Sequence, residues 1–336
     1  RLAAIGDLPA AGMIGGGPAR IGVITIAGEI SDGEAGPGEA GAQRIARLLD
    51  DALDDGLAGL VVRVDSPGGT VTGSEAIRRA ILRHKAQGIP IAVSMANVAA
   101  SGGYWVSTPA DRIFAEPATV TGSIGIFGVI PTFEDTLAGW GVTSDGVTTT
   151  PLSGQPDLLA GLNAETDALL QATVSSGYQR FLGLVAQSRG ISRARADALG
   201  QGRVWDGGSA RQLGLVDQFG GIEAALAWTA SRAGLAEDGW QAVYLGADQG
   251  GFAPMLAQLL QPASDRTAGG DLFALFARSE RDLAARALAD LEGLLAVRGA
   301  QARCLECPRV GAAPAFPAGL EGGGAWTRLA RLIAAL

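Results

Sequence analysis

The chain has 336 residues, a net charge of −8, 47% hydrophobic and 18% charged residues, 51 glycines and two cysteines. That apolar share suffices for a packed core, the acidic balance without a basic block argues against a nucleic-acid binder, and two cysteines cannot make a disulfide scaffold. Lys85 is the single lysine and His84 the single histidine, with arginine at every other basic position, so no multi-histidine metal site can form. No metal and no cofactor are expected.

Arginine in place of lysine, with abundant glycine and alanine, matches the codon bias of a GC-rich genome. Arginine cannot deprotonate in a protein, however, and so cannot replace a catalytic lysine as a base.

Residues 1–19 are rich in glycine and alanine and read as a linker, without the basic start and apolar run of a signal peptide. No window reaches the 18 or so apolar residues of a membrane span, which puts any anchor outside this chain. Residues 20–245 alternate short β-branched runs with amphipathic stretches. Ile21–Ile30 predicts a strand and 43–53, with Ile45, Leu48, Leu49 and Leu53 apolar, a helix. A buried strand follows at 59–64, and DSPGG at 65–69 predicts a turn. The spacing then predicts a helix over 72–87, with Ser74 and Glu75 in its first turn, and a strand over 89–95. This βαβαβ order implies a mostly parallel sheet with flanking helices. Leu170, Val174, Tyr178, Phe181 and Val185 mark the core face of a long helix beginning near Asn163. Residues 246–336 carry balanced charge and predict a helical, loop-rich C-terminal extension, with helices over 272–295 and 326–336. The last of these could dock on a partner or touch a membrane surface, and its two arginines favour a partner or an intrachain contact.

Three stretches carry the chemistry. In AASGGYWV, 99–106, Ser101 follows a buried strand and precedes two glycines and a helix. That setting suits a nucleophilic hydroxyl, and it equally suits a serine that merely caps the helix. The DSPGG segment follows a parallel strand one βα unit earlier, so its tip belongs at the same sheet edge. There the backbone N–H groups of Gly68 and Gly69, with that of Gly102, could form an oxyanion hole, the alternative being an ordinary proline–glycine turn. The third stretch, TVTGSIGIFG at 119–128, is a glycine-interrupted apolar run whose backbone could pair with an extended peptide. Thr121, Gly122 and Ser123 are its substrate-binding candidates.

In this order and spacing, DSPGG at 65–69, SEAIRRAI at 74–81, ASGGYW at 100–105, TGSIGIFGVI at 121–130 and GRVWDGGSARQLGLVD at 202–217 resemble the signal peptide peptidase A (protease IV) family. The resemblance extends to CLEC at 304–307 and is strongest to the C-terminal half of the long, two-domain form. It implies a crotonase/Clp-protease-like fold, Ser101 as nucleophile, and Gly68, Gly69 and Gly102 around the oxyanion. It also implies a Ser–Lys dyad, in which burial leaves the lysine unprotonated so that it accepts the serine proton.

In the short form the lysine falls near the position of Thr149, within DGVTTTP at 145–151, and threonine is no base. The long form takes its lysine from an N-terminal half, so no general base is expected in this chain. A chain opening at Arg1 without an initiator methionine fits a fragment or a processed portion. Lys85 and His84 lie at the far end of a helix about 22 Å long, where cations suit the macrodipole. Cys304 and Cys307 form a lone CxxC with too few ligands for zinc. The acidic group Asp50, Asp51, Asp54 and Asp55 reads as a solvated helix end.

The resemblance implies peptide substrates, in particular cleaved signal peptides. Its implied partners are the N-terminal half and further copies in a ring-like oligomer, and its implied location is the outer face of a bacterial inner membrane. The rival readings are a crotonase-type acyl-CoA enzyme and a non-catalytic assembly module.

Overall fold

The structure is a computed structural model that describes residues 18–35, 38–246 and 301–303. The chain enters through β1 (Ala19–Ala27), whose Ile21, Val23, Ile24 and Ile26 are all buried. Burial on both faces is what an inner strand of a parallel sheet requires. The single strand expected over 21–30 is in fact two. Gly28 turns the chain at φ +87°, and a β-carbon there would stand 2.0 Å from the Gly38 carbonyl oxygen. Only glycine fits such a corner, and beyond it the chain enters a second sheet as β2 (Glu29–Ser31), followed by β3 (Glu39–Gly41).

Helix α1 (Ala42–Asp51) buries Ile45 and Leu49, as the spacing predicts. Next come β4 (Gly59–Ser66), β5 (Gly68–Thr70) and α2 (Val71–Ala86). The turn expected at 65–69 is corrected by the structure: Asp65 and Ser66 complete β4, while Gly68 and Gly69 already belong to β5. Helix α2 is capped by Thr70, whose hydroxyl oxygen accepts from the Gly73 N–H at 3.1 Å.

Strand β6 (Ile91–Ala100) runs five residues beyond its expected end and delivers the chain directly to α3 (Gly102–Ser107). After β7 (Arg112–Ala115), β8 (Val120–Gly122) and α4 (Glu134–Gly139), the long α5 (Ala164–Arg189) begins where Asn163 accepts from the Thr166 N–H at 2.8 Å. It ends at Gly190 in the left-handed region. The expected core stripe holds for its C-terminal half, where Phe181 and Val185 are buried; Leu170 and Val174 are half-exposed. The remaining elements are α6 (Arg193–Leu199), β9 (Val204–Asp206), α7 (Gly207–Gln212), β10 (Gln218–Phe219), α8 (Ile222–Arg232), β11 (Trp240–Tyr244) and β12 (Gln301–Arg303).

The main sheet runs β10-β7-β6-β4-β1-β11, all parallel, with β8 added to the far end of β6 and β9 antiparallel to β8. This is the α/β architecture, mostly parallel with flanking helices, that the sequence pattern predicts. One face packs against α1, α2, α3 and the end of α5, and the other lies under α8 through Ala225, Leu226 and Ala230. The second sheet runs β12-β5-β2-β3, and β12 lies antiparallel on β5 with Arg303 opposite Gly68 and Ala302 opposite Gly69. The helices expected over 272–295 and 326–336, together with Cys304 and Cys307, lie outside the described residues.

Candidate active site

Three segments meet at the end of β6. Ser66, the last residue of β4, is in register with Ala99 on β6, two residues before Ser101. From the other side, β8 aligns Val120, Thr121 and Gly122 with Val98, Ala99 and Ala100. The DSPGG segment, the ASGG segment and the TGS segment therefore converge on one point, a consequence of β6 outrunning its neighbour β7.

Ser101 stands at that point with φ +53° and ψ −113°. Such angles belong to the first corner of a type II′ turn, where glycine is usual. A serine held there is backbone strain of the kind found at functional positions. The corner is fixed on both sides. The Ser101 N–H donates to the Gly122 carbonyl oxygen at 2.9 Å, and the Ser101 carbonyl oxygen accepts from the Trp105 N–H at 2.9 Å. The side chain is fully buried, and its Oγ makes no hydrogen bond among the described residues. As a cap it would accept from an N–H of the first helical turn, and it does not.

Gly68 and Gly69 adopt φ +108° and +152°. A β-carbon on Gly69 would stand 1.9 Å from the Ile30 carbonyl oxygen, so the close approach of β5 to β2 demands glycine. The Gly68 N–H donates to the Ser66 hydroxyl at 3.2 Å, a partner not visible in the sequence pattern. Gly102 opens α3, which is six residues long and buried throughout. In so short a helix the separate amides of the first turn matter more than a macrodipole.

The other candidates are held as follows. Thr121 donates through Oγ1 to the Ala99 carbonyl oxygen at 2.7 Å and is fully buried. Gly122, at φ +79°, gives its carbonyl oxygen to Ser101, and a β-carbon there would meet the Trp205 ring at 2.7 Å. Ser123, at φ +48°, donates its N–H to the Arg203 carbonyl oxygen at 2.7 Å. Strand β8 thus pairs on both edges, with β6 and with β9.

Lys85 donates to the Pro109 carbonyl oxygen at 2.6 Å and lies 3.0 Å from the Asp111 carboxylate, near the far end of α2. His84 is buried with Nε2 2.7 Å from the Leu49 carbonyl oxygen. Burial pushes its pKa down, partly offset by that bond. Thr149 is exposed and its hydroxyl lies 3.1 Å from that of Ser153. Asp50 pairs with Arg83 and Asp55 with Arg20. Among the described residues no group of acidic, histidine or cysteine side chains could hold a metal ion.

One carboxylate stands out beside the helix that follows Ser101. Glu75 accepts from Arg78, Arg79 and Arg180, and from the Trp105 indole N–H at 3.0 Å. Burial alone would raise its pKa, but the hydrogen bonds from Arg78, Trp105 and Arg79 outweigh this and bring it down to about 2. Nothing in the spacing of the sequence joins Glu75 to Trp105 or Arg180, which come from three different elements.

Residues 83–236 match the family described as Peptidase family S49. The chain is 46% identical over 216 residues to Protease 4 of Salmonella typhi, covering 64% of this chain and 35% of that protein. It is 42% identical over 210 residues to Protease 4 of Haemophilus influenzae, covering 62% of this chain and 34% of that protein. A third relative, the chloroplastic serine protease SPPA of Arabidopsis thaliana, is 30% identical over 230 residues, 66% of this chain and 33% of that protein. The chain therefore spans about a third of the length of these curated relatives. Among solved structures, a ClpP1 mutant from Listeria monocytogenes aligns with TM-score 0.39 and 15% identity over 61% of this chain and 94% of that one. A membrane-bound stomatin-specific protease mutant aligns with TM-score 0.42 and 14% identity over 68% of this chain and 98% of that one.

Proposed function

We propose that this chain, which carries a peptidase family S49 domain, is the nucleophile-bearing part of a serine endopeptidase that degrades cleaved signal peptides and other unfolded apolar peptides. The observation that carries the reading is Ser101 itself: a buried hydroxyl free of hydrogen bonds to the described residues, on a backbone corner where glycine would be easier, beside the glycines of β5.

In this reading Ser101 Oγ attacks the scissile carbonyl carbon and its proton passes to a base. The oxyanion is held by backbone N–H groups of Gly68 or Gly69 and Gly102. The Gly68 N–H would exchange its bond with Ser66 for one with the oxyanion. The leaving amine takes the proton from the base, and water then hydrolyses the ester to release the second product. The base is a lysine supplied by an N-terminal half of the same protein, because Lys85 is engaged with Asp111 and Pro109 at the far end of α2.

Peptide as the substrate class is supported by β5, whose edge already carries an antiparallel strand, residues 301–303. An extended substrate would displace that strand and present the same main-chain pattern to the edge, with affinity drawn from backbone hydrogen bonds. Under the same reading further copies of the chain assemble around an enclosed site at the outer face of a bacterial inner membrane. Support for assembly comes from Trp140, Val142 and Val147, large apolar side chains left exposed in one segment. No helix among the described residues is long and apolar enough to cross a membrane.

The test is hydrolysis of a fluorogenic apolar peptide by this chain, by the protein that includes the lysine-bearing half, and by that longer protein with Ser101→Ala. The expected result is activity in the second case alone. Robust, Ser101-dependent hydrolysis by the isolated chain would refute the external base, and activity surviving Ser101→Ala would refute the nucleophile.

A further inference from the structure

Glu75 has five hydrogen-bond donors and a side chain 11% exposed, yet it lies outside the reacting groups just described. Its Oε2 accepts from Arg78 Nε at 2.7 Å and from Trp105 Nε1 at 3.0 Å. Its Oε1 accepts from Arg78 Nη2 at 2.9 Å, Arg79 Nε at 2.9 Å and Arg180 Nη2 at 2.7 Å. The carboxylate so joins three elements: α2, which issues directly from β5 and its glycines; α3, which follows directly on Ser101; and α5.

The link to the nucleophile is short. Trp105 is one helical turn beyond Ser101, its backbone N–H donates to the Ser101 carbonyl oxygen, and its fully buried ring is packed on Phe181 with centroids 4.8 Å apart. The ring thus packs on α5 while its N–H is held by Glu75 of α2, a carboxylate that Arg180, the neighbour of Phe181 on α5, also contacts. The opposite side of α3 rests on β4 with no spare room: a β-carbon at Gly103 would stand 2.7 Å from the Ser66 carbonyl oxygen. Helix α3 is therefore clamped between the end of β4 and the Glu75 carboxylate. The helix has a further anchor in Tyr104, whose hydroxyl donates to the Leu215 carbonyl oxygen at 2.8 Å, but among the described residues the Trp105 indole is its one link to α2 through a charged group.

We propose that Glu75 is a positioning residue for the peptidase reaction, holding the Ser101 helix at a fixed distance from the Gly68–Gly69 segment through the indole N–H of Trp105. This rests on the reading of Ser101 as nucleophile and of those glycines as oxyanion donors. The reaction needs the serine oxygen and the oxyanion donors in one fixed geometry, and displacement by about 1 Å is worth up to about 100-fold in rate. A neutral amide at position 75 keeps the volume but gives up the charge that three arginines and the indole share.

The experiment compares Glu75→Gln, Trp105→Phe and the double variant with the wild type, all in the protein that includes the lysine-bearing half. It reads kcat, KM and melting temperature with a fluorogenic apolar peptide. Both single variants are expected to lower kcat by about 10- to 100-fold with KM changed less than about twofold. The double variant is expected to lose clearly less than the product of the two single losses, because the Glu75–Trp105 contact that both disturb can be lost only once. Additive losses, or kcat within about twofold of wild type in both single variants, would overturn the proposal. If Glu75→Gln does not fold, Trp105→Phe carries the same comparison, since the phenyl ring retains the packing on Phe181. Activity that survives Ser101→Ala in a parallel assay would instead remove the reading beneath the proposal, so the two failures are separable.

Discussion

Gly103 and Ser66 touch backbone to backbone: a β-carbon on Gly103 would lie 2.7 Å from the Ser66 carbonyl oxygen. The contact seats the helix that follows Ser101 directly on the end of β4, and neither partner is a flexible side chain that could swing away. Gly103→Ala must therefore push α3 off the strand, and overpacking of this kind costs about 1–3 kcal/mol. Urea denaturation should show that loss. Labelling of Ser101 by a serine-reactive fluorophosphonate, followed in the protein that includes the proposed lysine-bearing half, should slow at least about tenfold, because Ser101 moves with its helix. Unchanged stability and labelling would mean that the helix has slack at this contact.

Ser66 makes a second, separate prediction. Its buried hydroxyl accepts from the Gly68 N–H at 3.2 Å, so Ser66→Ala leaves that donor without its partner. A buried donor left unpaired costs about 1–3 kcal/mol. Under the proposed reaction peptide hydrolysis should be affected less than stability, because the oxyanion itself would take over the N–H. Denaturant midpoints and kcat measured on the same preparations check both halves, and a large kcat loss with unchanged stability would contradict this account.

Much of this site was legible in the sequence, for identifiable reasons. Ser101, Gly68, Gly69 and Gly122 announce themselves because backbone corners at positive φ and close approaches demand glycine or leave a lone polar residue between apolar runs. The parallel βαβ order follows from the alternation of apolar periods. Two things were not legible. The division of the first apolar run into β1 and β2 depends on Gly28 meeting Gly38, a contact across ten residues that no period encodes. The Glu75 hub is equally hidden, since Arg78 and Arg79 at helical spacing suggest an ordinary surface pair. Only the tertiary fold brings Trp105 and Arg180 to the same carboxylate.

Glu75 also sets an acid limit. Its carboxyl titrates at about 2 in the folded chain against an ordinary 4.5, burial being outweighed by the bonds from Arg78, Trp105 and Arg79. A depressed carboxylate pKa means the unfolded chain binds the proton more readily. The stabilisation is therefore fully present above pH 4.5 and is lost as the pH falls toward 2. Glu75→Gln should be less stable than wild type at pH 7, and the difference should shrink steadily over that acid window. Urea titrations at pH 7, 4 and 2.5 check this, and a difference independent of pH would mean the ionised form is not what the arginines stabilise.

The strain at Ser101 gives the last prediction. Its φ of +53° with ψ −113° is a conformation that glycine adopts freely and that costs a residue with a side chain about 1–3 kcal/mol. Ser101→Ala removes the hydroxyl and keeps the strain, whereas Ser101→Gly removes both. Glycine adds back some loss through the greater freedom of the unfolded chain, about 0.4–1 kcal/mol. The balance leaves Ser101→Gly more stable than Ser101→Ala by roughly 1 kcal/mol, the reverse of what the same exchange does in an ordinary helix or strand. Both variants should be inactive toward peptide and unreactive toward a fluorophosphonate. Thermal and urea unfolding of the two proteins side by side decide the matter. If alanine proves the more stable, the corner is relaxed, and the fixed position of the hydroxyl must come from the Gly122 and Trp105 hydrogen bonds alone.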